Sequence, residues 1–303
     1  MNPKTISEPV RLGYLAVVLP PTRAPQQNDQ VQAPKPSPVF QKRIDDYIKF
    51  IKSRRDKNIR SAEQFGEIKR NMEWVYGRNT LLFCVDIEAW EKNTGIVTEI
   101  GVSIYDPAEQ EHALTPVVNT YHIIVQQHQN KRNGRYVPDH MHNFLEGTST
   151  LLPLNEAKFL LQKLIDKYFG DYAELYCMFV GHDLLNDVDY LRKIGIRVPN
   201  NMLTLDTQKL FACSHGKYGA SLQNALRTVK QPFSFLHNAG NDAYFTVMLA
   251  LKLCDPNTRL ALGLDLLSEG ENVGDRKEYA KVSRNTSVPL YKDPQEILRE
   301  LGA

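Results

Sequence analysis

Hydrophobic residues recur at helical spacing over the first well-patterned part of the chain. The apolar positions that share one face are Phe40, Ile44, Tyr47, Ile48 and Ile51. A repeat at three and four residues predicts an amphipathic helix. Further on, Ser61 and Gln64 have the three-residue spacing of a capping box, which predicts the start of a second helix. We therefore expect residues 40–75 to be helical.

From residue 79 the pattern changes to short apolar runs. Runs at 81–86, 97–105 and 117–125 predict three strands with short connections, which favours an antiparallel meander. Two more strands are predicted at 176–181 and 202–205. Helices are predicted at 155–169, 184–194, 207–213, 221–229 and 241–253. Strands followed by alternating helices and strands predict an α/β fold, a mixed sheet covered by helices.

The two ends of the chain lack this patterning. Residues 1–39 combine an apolar run at 12–19 with a Pro/Gln-rich stretch at 20–38, a composition typical of flexible segments. The last 40-odd residues are polar with weak periodicity. We predict four regions: a flexible segment 1–39, a helical extension 40–78, an α/β domain 79–255 and a tail 256–303.

Composition narrows the function classes. The 303 residues are 42% hydrophobic, enough for a sizeable core, and the net charge of +2 excludes a polycationic chain. Charge is uneven, however, because residues 41–70 hold ten basic against five acidic side chains. This excess predicts either a solvated helix face or a surface for nucleic acid or a partner.

The four cysteines favour a reducing compartment. They are scattered and form no C-x-x-C pair, so a structural zinc site is not expected. The N-terminus shows no signal peptide, and no stretch approaches the roughly 18 apolar residues of a membrane span. We expect a cytoplasmic or nuclear protein that is neither secreted nor bound to membranes.

The first candidate chemistry lies at the end of the strand 81–86. Asp86 and Glu88 follow the apolar run and are two residues apart, so in an extended strand both side chains point to the same face. Two neighbouring carboxylates repel each other unless a positive charge lies between them. A hard divalent cation with oxygen ligands is the usual solution.

Two further acids occupy the starts of helices. Asp187 follows the strand 176–181, and Asp242 begins the last strong helix. His237 precedes Asp242 by five residues. Helix starts next to strand ends are where α/β sites are usually built. Each feature alone is also consistent with helix capping, so the prediction depends on all of them meeting at one place.

In order and spacing these motifs resemble those of the DEDDh 3′–5′ exonucleases, a family of the RNase H-like superfamily. The resemblance covers about residues 79–255 and includes Asp206-Thr207 after the fifth predicted strand. It implies a five-stranded mixed sheet with order 3-2-1-4-5. It also implies two bound Mg²⁺ or Mn²⁺ ions and hydrolysis of nucleic acid from a 3′ end.

The resemblance also implies roles for the candidate residues. The ligands of the ions would be Asp86, Glu88, Asp187 and Asp242, and His237 would accept the proton of the attacking water. Asp183 and Asp189 flank Asp187 and compete with it for the ligand role, but the spacing of Asp187 to Tyr190 and Leu191 matches the family. His182 is expected to support the fold or orient a ligand rather than act in catalysis, and Asp183 is expected to lie close to the ligands.

Sequence around the motifs is similar to a fungal branch that includes a helicase cofactor linked to mRNA export. This similarity implies an RNA helicase or ribonucleoprotein as a partner. Trp90 is predicted either to stack on a terminal base or to pack in the core. The loop 126–135, with Lys131, Arg132 and Arg135, is predicted either to contact the phosphate backbone or to be merely solvated.

Three functions remain open at this point. The first is a metal-dependent exonuclease on the 3′ end of single-stranded RNA or DNA, with RNA favoured. The second is a nucleic-acid-binding adaptor with little catalysis, acting in mRNA export or ribonucleoprotein handling. An endonuclease is disfavoured, because it would not need a histidine five residues before Asp242.

Overall fold

The computed structural model describes residues 33–170, 176–200, 202–216 and 219–267. The predicted flexible segment as far as residue 32 and the predicted tail from residue 268 lie outside this part. The strands are β1 Thr80–Trp90, β2 Asn93–Tyr105, β3 Asn119–Val125, β4 Thr150–Leu152, β5 Tyr176–Gly181 and β6 Leu203–Asp206. The helices are α1 Pro38–Ser53, α2 Ala62–Val75, α3 Leu154–Phe169, α4 Leu184–Lys193, α5 Thr207–His215, α6 Leu222–Thr228, α7 Ala239–Cys254 and α8 Pro256–Leu262.

The strands form one mixed sheet with the order β4-β3-β2-β1-β5-β6. β1, β2 and β3 form the predicted antiparallel meander, whereas β5 pairs parallel to β1 and β6 parallel to β5. The α/β class and the mixed sheet are confirmed, but the prediction of five strands was wrong by one. Residues Thr150–Leu152 pair parallel to the end of β3 and add an edge strand. Three residues are too few to show a strand period, so the sequence does not predict this strand.

Two apolar clusters cover the two faces of the sheet. One contains Leu82 and Cys84 of β1 together with buried residues of α1, α2, α5, α6 and α7. The other contains Phe83 and Val85 of β1 together with residues of α3 and α4. Because successive strand residues point to opposite faces, the even-numbered positions of β1 face α7. Helix α7 is apolar almost all round and is buried over most of its length.

A buried polar network joins the first helix to the last described segment. Arg259 and Asp265 form a fully buried ion pair at 2.6 Å. Tyr47 of α1 and Ser214 of α5 both hydrogen-bond to Asp265. The backbone of Asn58 also donates to Asp265. Helix α1, helix α5 and residues up to 267 are therefore parts of one packed unit.

The predicted capping box of α2 is present. The Ser61 hydroxyl accepts from the backbone of Gln64, and the Gln64 side chain accepts from the backbone of Ser61. Among the described residues, no helix combines the length and the apolar character that are needed to cross a bilayer.

Candidate active site

The end of β1 carries two of the predicted acids to the face that α7 covers. Asp86 and Glu88 continue the even-numbered series that begins with the buried Leu82 and Cys84. Directly across the β1–β2 ladder, Asp86 lies opposite Gly101 and Glu88 opposite Glu99. The ladder register shifts just after Glu88, where the strand leaves the covered part of the sheet. Both carboxylates thus lie at the rim of the core.

Helix α4 brings Asp187 against the same strand. Its carboxylate lies close to the backbone N–H of Ile87, which lies between Asp86 and Glu88. The helix begins after Asp183, which has a left-handed backbone with φ of 68°. Aspartate tolerates this conformation better than most residues. The tight entry after β5 places the first turn of α4 over the carboxyl end of β1.

The start of α7 supplies Asp242 and the loop that carries His237. Asn238 caps the helix by accepting from the backbone of Asn241. The backbone N–H of His237 donates to Asp242 Oδ2 at 2.9 Å. His237 has a φ of 67°, an uncommon conformation for a side chain of this size. The loop is therefore bent back onto the acid that it precedes.

Glu88, His237 and Asp242 meet at one point. One ligand atom from each of the three lies within 4.8 Å of the others. His237 Nδ1 is 3.6 Å from Glu88 Oε1, and the imidazole is 45% exposed. The Asp86 and Asp187 carboxylates lie close enough for their charges to act on each other. The structure thus brings all five predicted residues together.

The pKa values of the acids in this group reflect burial first and crowded negative charge second. Burial, followed by repulsion from Asp242 and Asp187, raises the pKa of Asp86 well above its ordinary value. Burial and the charge of Asp183 raise the pKa of Asp187 to about 8. Burial and the charge of Glu88 raise the pKa of Asp242 to about 8. Partial burial lowers the pKa of His237, but contact with Glu88 and the charge of Asp242 outweigh it and raise the pKa overall.

These residues fit a divalent cation. Asp242 Oδ1 is buried and has no hydrogen-bond partner, whereas its Oδ2 is occupied by the His237 backbone. A buried acceptor without a partner is costly unless a cation or water completes it. Carboxylate oxygens are the ligands that Mg²⁺ and Mn²⁺ prefer. The acidic cluster and its one histidine therefore form a candidate metal centre.

His182 and the two acids that flank Asp187 make contacts outside the five-residue cluster. His182 uses both ring nitrogens, one to Thr207 Oγ1 at 2.9 Å and one to the carbonyl of Ala220 at 2.8 Å. It ties β5 to α5. Asp183 accepts from the side chain of Asn186. Asp189 is 63% exposed and faces Arg192, away from the cluster.

Trp90 lies at the exposed end of β1 and belongs to neither apolar cluster. Its indole N–H donates to the carbonyl of Arg132 at 3.3 Å. The ammonium groups of Lys131 and Lys92 lie 4.7 Å and 5.7 Å from the ring centroid. Of the core and surface interpretations of Trp90, the geometry supports the surface one.

Two carboxylates, those of Asp139 and Glu91, hold the predicted basic loop in place. Arg132 pairs with Asp139 at 2.6 Å. The Glu91 carboxylate accepts from three consecutive backbone N–H groups, those of Arg135, Tyr136 and Val137. The guanidinium of Arg135 lies over the ring of Tyr136. The loop is thus fastened to the strand that carries Asp86 and Glu88.

Sequence reasoning missed the asparagines that fasten residues 140–145 to α7. The side chain of Asn238 donates to the carbonyls of His140 and Met141. Asn241 accepts from the backbone of Leu145 and donates to that of Asn143. Both asparagines are fully buried. Each lies next to a predicted site residue, but their partners are almost 100 residues away in sequence, so no local signal identifies the contact.

Comparison with known proteins agrees with the geometry. Residues 81–253 match the DEDDh family described as DNA polymerase III subunit epsilon-like, C-terminal domain. An uncharacterized protein of Saccharomyces cerevisiae is 39% identical over 80% of this chain and 54% of its own length. "Good for full DBP5 activity protein 2" of the same yeast is 34% identical over 67% of this chain and 40% of its own.

Two further matches are more distant. An uncharacterized nucleolar protein of Schizosaccharomyces pombe is 30% identical over 54% of this chain and 64% of its own length. The chain therefore spans only 40% to 64% of these curated relatives. A product-bound structure of exonuclease I aligns over 61% of this chain and 45% of its own, with 10% identity and a TM-score of 0.36.

Proposed function

The chain belongs to the DEDDh family described as DNA polymerase III subunit epsilon-like, C-terminal domain, and on this premise we propose that it is a metal-dependent 3′–5′ exonuclease. The proposed substrate is the 3′ end of single-stranded nucleic acid, with RNA favoured over DNA. The observation that carries the proposal is the convergence of Glu88, His237 and Asp242 within 4.8 Å, with Asp86 and Asp187 beside them.

The four acids would hold two divalent cations, Mg²⁺ or Mn²⁺. When bound, such ions supply the positive charge that stabilises an in-line displacement at phosphorus and lowers the pKa of water. The orphaned Oδ1 of Asp242 supports a ligand role for that residue. Asp187 is preferred over Asp189 because Asp187 contacts β1, whereas Asp189 faces solvent.

His237 would act as the general base. Its Nδ1 faces Glu88, which leaves Nε2 to accept the proton of the attacking water. The water oxygen forms the new bond to phosphorus, the bond from phosphorus to the 3′ oxygen breaks, and that oxygen takes up a proton. The raised pKa of His237 fits a group that alternates between its two protonation states near neutral pH.

Trp90 and the anchored loop would hold the single strand. A base stacked on the indole would contribute about 1–3 kcal/mol. Lys131 and Arg135 lie on the same loop and provide positive charge for phosphates. Arg132 is a weaker candidate, because it is already paired with Asp139.

A second candidate function is an adaptor that binds RNA or a ribonucleoprotein with little catalysis. One observation favours it: Lys49, Lys52, Arg55 and Arg60 are exposed, and within the described residues they have no carboxylate partner. An RNA helicase or a ribonucleoprotein is the proposed partner, and the relative named for full DBP5 activity is in line with this proposal. The relative named as nucleolar is compatible with work in the nucleus.

The discriminating experiment uses the full chain with 5′-labelled single-stranded RNA and DNA in Mg²⁺ or Mn²⁺. A ladder that shortens from the 3′ end is expected for the wild type and is lost in Asp86→Asn and Asp187→Asn. Asp189→Asn is the matched control, because it removes the same charge from the same helix two residues away and should cut normally. If the wild type and all the variants bound the nucleic acid but none of them cleaved it, the exonuclease proposal would be refuted and the adaptor favoured.

A further inference from the structure

A chain of three polar side chains, two of them deeply buried, lies behind the carboxylate site. Glu99 Oε2 is 2.9 Å from His122 Nε2, and His122 Nδ1 is 2.8 Å from Ser149 Oγ. The side chains of Glu99 and His122 are 4% and 0% exposed. Polar groups this deeply buried are retained only when their hydrogen bonds are satisfied. The triad joins β2, β3 and the segment before β4.

This triad ends on the first turn of α7. The carboxylate of Glu99 also accepts from the backbone N–H of Ala239 at 3.3 Å. Ala239 is the first residue of the helix that carries Asp242, and it follows the cap Asn238. The positive end of the helix dipole stabilises a carboxylate at this position. Glu99 also lies directly opposite Glu88 in the ladder.

Close packing leaves this helix start little freedom. A Cβ on Gly101 would meet the backbone of Ala239 and Gly240, so at this point α7 rests directly on the β2 backbone. A Cβ on Gly240 would lie 2.7 Å from the ring of Phe144 and 2.8 Å from His122 Cβ. The helix start is thus enclosed by the strands and the loop that hold the triad.

We propose that Glu99, held by His122 and Ser149, is a positioning residue that fixes the start of α7 and thereby places His237 and Asp242 opposite Glu88. The residue types match a hydrolytic Ser-His-acid triad, but the imidazole is wholly buried, and its Nε2 faces the carboxylate and its Nδ1 the serine, the reverse of the catalytic arrangement. The consequence for cleavage rests on the proposed function, whereas the positioning of α7 does not.

The test compares Glu99→Gln with Ser103→Ala. Glutamine keeps the size of Glu99 but removes its charge. Ser103 is the matched control, because it lies on the same face of β2, is itself buried and makes a partly buried hydrogen bond to Thr120 of β3, farther from the site. Hydrogen exchange at the Ala239 amide, Mn²⁺ affinity by calorimetry, and kcat and KM on RNA are measured for both.

For Glu99→Gln we expect faster exchange at Ala239, about 10–100-fold weaker Mn²⁺ binding and a similar fall in kcat with KM nearly unchanged. Ser103→Ala should lower only the melting temperature. Equal exchange, Mn²⁺ affinity and kcat in the two variants would overturn the proposal. Should Glu99→Gln fail to fold, Ser149→Ala, which removes only the outermost bond, decides by the same three measurements.

The two proposals fail in different ways. A wild-type protein without nuclease activity would refute the exonuclease, yet exchange at Ala239 and Mn²⁺ affinity would still decide the role of Glu99. Normal cleavage by Glu99→Gln would refute positioning and leave the exonuclease intact.

Discussion

Replacing Gly101 by alanine tests how closely α7 approaches β2. A Cβ at this position would lie 2.6 Å from the backbone nitrogen of Gly240 and closer still to the carbonyl of Ala239. These are backbone atoms, so no side chain can rotate away. The first turn of α7 would have to retreat by about 1 Å or more to reach an ordinary van der Waals separation.

The magnitude follows from this geometry. Overpacking a rigid contact costs about 1–3 kcal/mol, and here we expect the upper end. For a domain of this size about 3 kcal/mol corresponds to a fall of about 6–12 °C in Tm. The same displacement moves His237 and Asp242, and about 1 Å of misplacement in a catalytic group costs about 100-fold in rate.

The assay pairs thermal melts with Mn²⁺-dependent cleavage of labelled RNA. Gly66→Ala is the matched control, since nothing lies within 4 Å of its added Cβ and the residue is exposed in the middle of α2. The Gly66→Ala substitution should stabilise the protein by about 0.5–1 kcal/mol. If Gly101→Ala melted within about 2 °C of the wild type and cut at the normal rate, the described contact between α7 and β2 would be incorrect.

Three further predictions concern charge and substrate contacts. Asp86→Asn should raise Tm in chelator, because it removes one of several repelling carboxylates, and should abolish the stabilisation by Mn²⁺; a rise with Mn²⁺ equal to that of the wild type would contradict this. Asp265→Asn should cost about 3–5 kcal/mol, because it leaves Arg259 buried without its counter-charge. Burial opposes ionisation of Asp265, but the charge of Arg259 outweighs it and lowers the pKa of Asp265. The stability that Asp265 contributes is therefore complete above about pH 4 and is lost as pH falls further, so between pH 3 and 6 the Tm should depend less on pH for the variant than for the wild type. Trp90→Leu should weaken single-stranded RNA binding by about 5–100-fold, and Lys131→Gln should reduce the slope of log affinity against log salt by about 0.7. Binding titrations at several salt concentrations check both effects. Unchanged affinity and an unchanged slope would show that these two residues do not contact the substrate.

Local pattern was sufficient for the elements that position the site. The apolar run of β1 and the amphipathic repeat of α3 produced the predicted strand and helix, and the capping box of α2 was read directly from Ser61 and Gln64. The edge strand β4 was missed, because Thr150–Leu152 is short and half exposed. Helix α8 was missed within a segment of weak periodicity, although Asp255 caps it and Pro256 begins it.

Contacts between distant parts of the sequence could not be predicted. In the sequence, Glu99 is one polar position within an alternating strand, yet in the structure it contacts a residue 140 positions away. Asn238 and Asn241 looked like part of a helix start, whereas each also holds the loop before β4. Asp183, Asp187 and Asp189 were separable only by family spacing, and the structure adds that the Asp187 carboxylate lies near the backbone of β1, whereas Asp189 is exposed and faces Arg192.

The Glu91 carboxylate has a thermodynamic consequence for any ligand of the basic loop. Three successive N–H groups converge on this one acceptor, so residues 135–137 are already ordered in the free protein. Ordering them during binding would otherwise cost about 1–2 kcal/mol for each residue. Because that entropy loss occurs during folding, a strand that meets the loop binds to a preorganised surface, and its affinity and association rate carry no penalty for loop closure.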